Sequence, residues 1–124
     1  METKFRAFDD GKMIYQDQTI LTDPFDQLSW FFKKIRKDSI VMKTIGVEDV
    51  NKKDVYVGDF VKGWYSVYRN NNPESQPEII PFDGEIHYTE GCSYVRADNG
   101  QCAFAFNFSD YELEVYGNKC EGLF

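Results

Sequence analysis

His87, Cys92 and Cys102 are the residues of this chain whose types best suit a transition metal, and His87 is its single histidine. A structural zinc site asks for four such ligands, usually in closely spaced pairs. The three cysteines, Cys92, Cys102 and Cys120, contain no CxxC pair, and an odd number argues against a disulfide scaffold. Neighbouring strands often bring such side chains together without an ion, so no metal site and no cofactor is expected. Carboxylates are the second chemical resource. Asp49, Asp54 and Asp59, or Glu112 and Glu114, have spacings that would suit an acid pair or a magnesium site. On strands, acids two apart share one face, and a solvated acidic face is the simpler expectation. The sequence has no GxSxG, no HExxH and no glycine-rich phosphate loop. No catalytic residue is assigned, and the chain is not read as an enzyme.

A different kind of candidate lies at Trp30. In a helix it falls about 160° around the wheel from Leu28, on the polar side with Lys33, Lys34 and Lys37. A large aromatic there has three readings. Lysine stems can cover the indole with a weak cation–π contact, the ring can sit in a subunit interface, or it can stack on a base while Lys33, Lys34, Arg36 and Lys37 hold phosphates. The formal net charge of −7 weighs against the last.

These residues have to be positioned by regular elements. The 124 residues suffice for one domain spanning 1–124, and an aromatic content of 17% favours sheets, where planar side chains pack on a pleated surface. "KFRAFDDGKMIY" holds two β-prone runs around Asp9, Asp10 and Gly11, the pattern of a hairpin. "TDPFDQLSWFFKKIRK" predicts a helix over 24–37: Asp23 can cap, Pro24 sits where a missing N–H is harmless, and Phe25, Leu28, Phe32 and Ile35 share a face with Phe31 at its margin. Each of these would contribute about 1.5–3 kcal/mol if fully buried.

The segments "SIVMKTIG" and "DVYVGDFVKG" read as strands around the polar "VEDVNKK", with Gly58 and Asp59 marking a corner. "GWYSVYR" continues the second strand. Residues 70–77, "NNNPESQP", read as an irregular loop. A β-meander follows, turning at Glu90-Gly91 and at Asn99-Gly100, with Cys102, Phe104, Phe106 and Phe108 on one face. The last run places Tyr111, Leu113 and Val115 together and ends at Gly117-Asn118. No stretch approaches the roughly 18 apolar residues of a membrane span, and the first residues lack the apolar core of a signal peptide. A soluble, cytoplasmic protein is expected.

Three blocks in order, "KFRAFDDGKMIY", "IGVEDVNKKDVYVGDFVKG" and "LEVYGNKCEG", resemble the YopX family of small phage- and prophage-encoded proteins. "GEIHYTEGCSYVR" is similar to the strand that precedes the family's terminal block. Phe8 stands where the family usually has Trp, Asn51-Lys52 stands where it has Asn-Gly, and "NKCEGLF" departs from its acidic, aliphatic tail. A lysine at the second turn position would carry a cost of about 1 kcal/mol if its φ is positive. The resemblance, which leaves out the helix region and residues 70–77, implies a mostly β domain similar to an SH3-like, partly open barrel with an added N-terminal element; together with the hairpin and the helix read above, the expected fold is mainly β with a minor α component. It also implies homo-oligomers and says little about activity; together with the aromatic surface candidates and the lack of a reactive constellation, it leads to the expectation of a phage-derived accessory protein that contacts a host or phage protein. A nucleic-acid-binding barrel using the Trp30 helix end is the alternative. The shared residues, with Gly11, Gly58, Asp59, Gly91, Asn99, Gly100, Gly117 and Asn118 at turns and strand ends, serve a framework rather than a reaction.

Overall fold

A two-residue turn sets the start of the fold. Asp9 pairs with Lys12, leaving Asp10 and Gly11 with φ of 50° and 76°, the two positive angles that match the twist of a tight hairpin. The structure, a computed structural model, describes residues 3–67, 76–89, 91–97, 102–103 and 111–124. Among the described residues it is mainly β with one helix, and it divides into two compact units, Met1–Gly46 and Val47–Phe124.

In the first unit, β1 (Phe5–Asp9) lies between β2 (Lys12–Tyr15) and β3 (Ile40–Glu48), which runs on into the second unit. Helix α1 (Pro24–Lys34) begins as expected: the Asp23 carboxylate accepts from the N–H groups of Phe25 and Asp26 at 2.9 and 3.2 Å. It ends three residues sooner than the periodicity predicts. Ile35 is extended, with φ −82° and ψ 153°. The chain beyond it is drawn into a polar knot in which Arg36 Nε donates to Asp9 Oδ1 at 2.8 Å, Ser39 Oγ donates to the same oxygen at 2.9 Å, and Arg36 N–H donates to Ser39 Oγ at 3.0 Å. Side chain and backbone compete here, and the helix loses.

The buried stripe also differs from the expected one. Phe31, placed at its margin, is wholly buried, whereas Phe25 is 76% and Phe32 49% exposed. Ala7, Phe31 and Met42 form this unit's apolar core. Gln16 is buried with them and locks the hairpin base, its side chain accepting from Phe5 N–H and its own N–H donating to Phe5 C=O.

The Asp9 carboxyl is held below the usual carboxylate range by its hydrogen bond to Arg36, assisted by Ser39 and opposed by desolvation. A depressed folded-state value contributes stability above the unfolded pKa of about 3.9, which is lost as pH falls through the lower folded value. Carbon-detected NMR titration should therefore give Asp9 a low midpoint in the wild type and a higher one in Arg36→Ala. Equal midpoints would show that Arg36 does not hold this carboxylate.

The second unit contains β4 (Asp54–Tyr56), β5 (Asp59–Val67), β6 (Glu78–Thr89), β7 (Cys92–Arg96), β8 (Cys102–Ala103), β9 (Tyr111–Asn118) and β10 (Gly122–Leu123). Its large sheet has the order β10-β9-β5-β6-β7-β8 and curls as a half-barrel. Alternation places Val61, Ile86, Val95, Leu113 and Val115 on the buried face. The expected corner is present: Gly58 has φ 94°, its N–H donates to Ile86 C=O and its C=O accepts from Lys119 N–H, both at 2.9 Å. Asp59 follows, 1% exposed, accepting from Tyr56 N–H at 2.8 Å. Gly91 takes φ 82° between paired Thr89 and Cys92. Beyond Gly117, Asn118 is buried and its Oδ1 accepts from Cys120 and Glu121 N–H at 3.0 and 2.8 Å, closing the last turn. The turn at Asn99-Gly100, residues 70–75 and the side chains of Cys102, Phe104, Phe106 and Phe108 lie outside the described residues.

Asp49 and Asp59 correct the expectation of a solvated acidic face. Asp49 is 6% exposed and accepts from Asn51 and Lys53 N–H at 2.9 Å each, and from Val115 N–H at 3.2 Å. Val50 N–H donates to Leu113 C=O at 2.9 Å. The polar "VEDVNKK" turn thus covers the outer edge of β9, whose backbone would otherwise stay open to pairing. Within it Lys52 adopts φ 63°, so the turn keeps the geometry that suits glycine. Lys52→Gly should stabilise the protein by about 0.5–1 kcal/mol, read as a rise in the urea midpoint. An unchanged or lower midpoint would mean that the left-handed backbone carries no strain here.

Candidate functional site

Opposite the buried side chains, the large sheet carries a groove that runs across its strands. Register aligns Glu114, Lys62 and Asp83 in one row, Leu113, Gly63 and Phe82 in the next, and Glu112, Trp64 and Pro81 in the third. Side chains of the outer rows share the solvent face, and those of the middle row belong to the other face. Backbone of the middle row therefore forms a floor between two walls. The depression has a volume of about 480 Å³ and Val50 stands at one end. Three strands about 4.8 Å apart make a floor roughly 10 Å long, and residues two apart set walls roughly 6.5 Å from each other. Glycine at 63 permits the floor: Glu112 C=O presses so closely on it that no Cβ would fit.

A second depression, about 580 Å³, adjoins the first and is lined by Phe60, Asp83, Gly84, Glu85, Tyr116 and Leu123 among others. Register shifts between Phe60 and Val61, leaving Tyr116 as the additional residue of a bulge, a device that re-aims side chains. Its ring lies 6.2 Å from that of Phe60, its hydroxyl donates to the Asp83 carboxylate, and the Lys62 ammonium sits 5.4 Å above it. The one cation that lines the first groove among the described residues is thereby drawn aside. Glu85 is partnered by His87 Nε2 at 3.0 Å, and His87 stacks on Tyr94 at 5.6 Å. Glu112 and Glu114 are exposed and, among the described residues, have no cationic partner. The groove is thus an anionic slot with an indole in one wall.

No protein-family model and no curated protein matches the chain.

The candidates named from sequence are dispersed. Trp30 is half-buried, with Lys34 Nζ 5.1 Å from its ring centre, the arrangement in which a lysine covers the indole. Lys33 and Lys37 are exposed. On the side of the helix away from Trp30, Phe25, Leu28 and Phe32 line a shallow hollow of about 340 Å³ with Ser29 and Lys33 at its rim. His87 is engaged with Glu85, Cys92 is an exposed free thiol, and no group of three metal-binding side chains occurs among the described residues. Of the groove residues, Glu112 and Glu114 stand out in the sequence only as a spacing, while Phe60, Asp83 and Tyr116 carry no local signal. Their meeting depends on pairing β5 with strands some 20 and 50 residues away.

Proposed function

We propose that this chain is a phage- or prophage-derived accessory protein of the kind its three sequence blocks resemble, a self-associating module that works by binding another protein. The observation that carries this reading is the cross-strand groove, where exposed carboxylates and an indole are set on a rigid sheet rather than on a loop. Interfaces draw their affinity from such aromatic anchors with charged surroundings. Self-association draws on the exposed apolar side chains of the first unit, with Ile20 97% and Phe25 76% exposed. Protein is preferred to nucleic acid because the groove is anionic and the Trp30 indole is already covered by Lys34. No described helix is long and apolar enough to cross a membrane, and the bacterial cytoplasm is the proposed location.

Size-exclusion chromatography with light scattering should give a mass that is a multiple of 14.5 kDa. A strict monomer at working concentration removes the self-association part. Parallel capture from bacterial lysate with wild type, Trp64→Ala and Trp30→Ala should show partners lost with the first variant and kept with the second. Identical recovery by all three would place docking elsewhere.

A further inference from the structure

We infer that the groove between Glu114–Lys62–Asp83 and Glu112–Trp64–Pro81 takes a lysine or arginine side chain from an extended segment of a partner protein. The inference rests on the proposed binding role and names the ligand class of that site. Charge points the same way as shape. Among the described residues, Asp83, Glu112 and Glu114 line the slot against the single cation Lys62, and Lys62 is turned toward the Tyr116 ring. A slot about 10 Å long and 6.5 Å wide accommodates one unbranched aliphatic stem. The stem would lie on the exposed backbone of Gly63, Leu113 and Phe82, a surface that asks nothing of a methylene chain, while Trp64 offers its ring at the side. Long basic side chains bury apolar stems and keep their charged heads in water, and here the heads would meet Glu112 and Glu114. The contact of Lys62 with Tyr116 shows an ammonium already seated on an aromatic of this same face. A strongly acidic chain, with net charge −7, would also steer a basic segment toward it.

The test uses the full chain carrying Trp30→Phe, so that Trp64 is the single indole. The probe is a synthetic nine-residue peptide with three lysines separated by glycine and serine, compared with its glutamine counterpart. The lysine peptide should shift Trp64 emission with saturation, bind at least tenfold more tightly than the glutamine peptide at low salt, and weaken as salt rises. Glu112→Gln with Glu114→Gln should weaken it about tenfold while thermal unfolding and light-scattering mass stay as in the parent. Binding unaffected by that double variant would be diffuse attraction to an acidic protein and would overturn the proposal. So would a Trp64 emission change that follows protein concentration alone, which would mark a second copy as the occupant. If no peptide binds but capture still depends on Trp64, the ligand class is wrong and the binding role stands. If capture is also independent of Trp64, both fall.

Discussion

Asp49→Ala should lower the stability of the protein by about 4 kcal/mol, enough to remove much of the margin of a small domain. One carboxylate serves three backbone donors, Asn51, Lys53 and Val115, and alanine would leave them all in a site where Asp49 itself is only 6% exposed. Each buried donor without a partner costs about 1–3 kcal/mol, reduced where the loop relaxes toward water. Asp49→Asn separates the terms. Its carbonyl oxygen can still serve Asn51 and Lys53, but an amide nitrogen would face Val115 N–H, donor against donor. That variant should lose about 2 kcal/mol and show faster hydrogen exchange at Val115 than at Lys53. If Asp49→Ala unfolds within about 1 kcal/mol of the wild type in urea, the edge of β9 is not held by this carboxylate.

The same residue shows how much of the molecule was legible in its sequence. Asp49 and Asp59 can be recognised as strand-end acids, but whether an acid beside a turn faces water or backbone depends on what passes nearby. For Asp49 that is Val115, 66 residues away. Signals that act within a few residues translate well: the Asp10-Gly11 turn, the Asp23 cap, the corner at Gly58, and the grouping of Leu113 with Val115. The helix shows where such signals stop. Its periodicity carries on to Ile35, yet Arg36 is held by Asp9 from another element, and Phe31 rather than Phe25 or Phe32 is buried. Local period fixes a stripe's direction only to within a residue; the packing partner selects its centre.

The groove is the extreme case. Lys62 and Trp64 are close in sequence, and so are Glu112 and Glu114, but nothing in either pair names the other. Only the register of β5 with β9 and β6 makes them walls of one slot. Trp30, by contrast, draws attention as a large aromatic among lysines, and a lysine one turn on suffices to cover it. A conspicuous side chain and a candidate surface need not coincide, because an open sheet face is assembled from residues that are unremarkable one strand at a time.

That dependence makes Gly63→Ala the sharpest probe of the site and the fold together, with an expected loss of about 4 kcal/mol or more. Gly63 lies mid-strand, paired with Leu113 on one side and Phe82 on the other. A Cβ there would fall inside the contact shell of the Glu112 carbonyl oxygen, 2.8 Å from its carbon and 2.9 Å from Leu113 Cα. All three atoms are backbone, so no rotamer change relieves the clash, and β9 must move away from β5. Overpacking in cores usually costs about 1–3 kcal/mol; a clash with a neighbouring strand's backbone also breaks ladder hydrogen bonds and takes the figure higher. Gly46→Ala is the control, since φ is 87° there but a Cβ would have nothing within 4 Å, so its cost should be only the about 1–2 kcal/mol of left-handed backbone. Hydrogen exchange should rise first at β5 and β9 amides in Gly63→Ala, and not in Gly46→Ala. A Gly63→Ala protein as stable as its parent would mean that the two strands do not approach as described, and the groove whose floor they form would be lost with them.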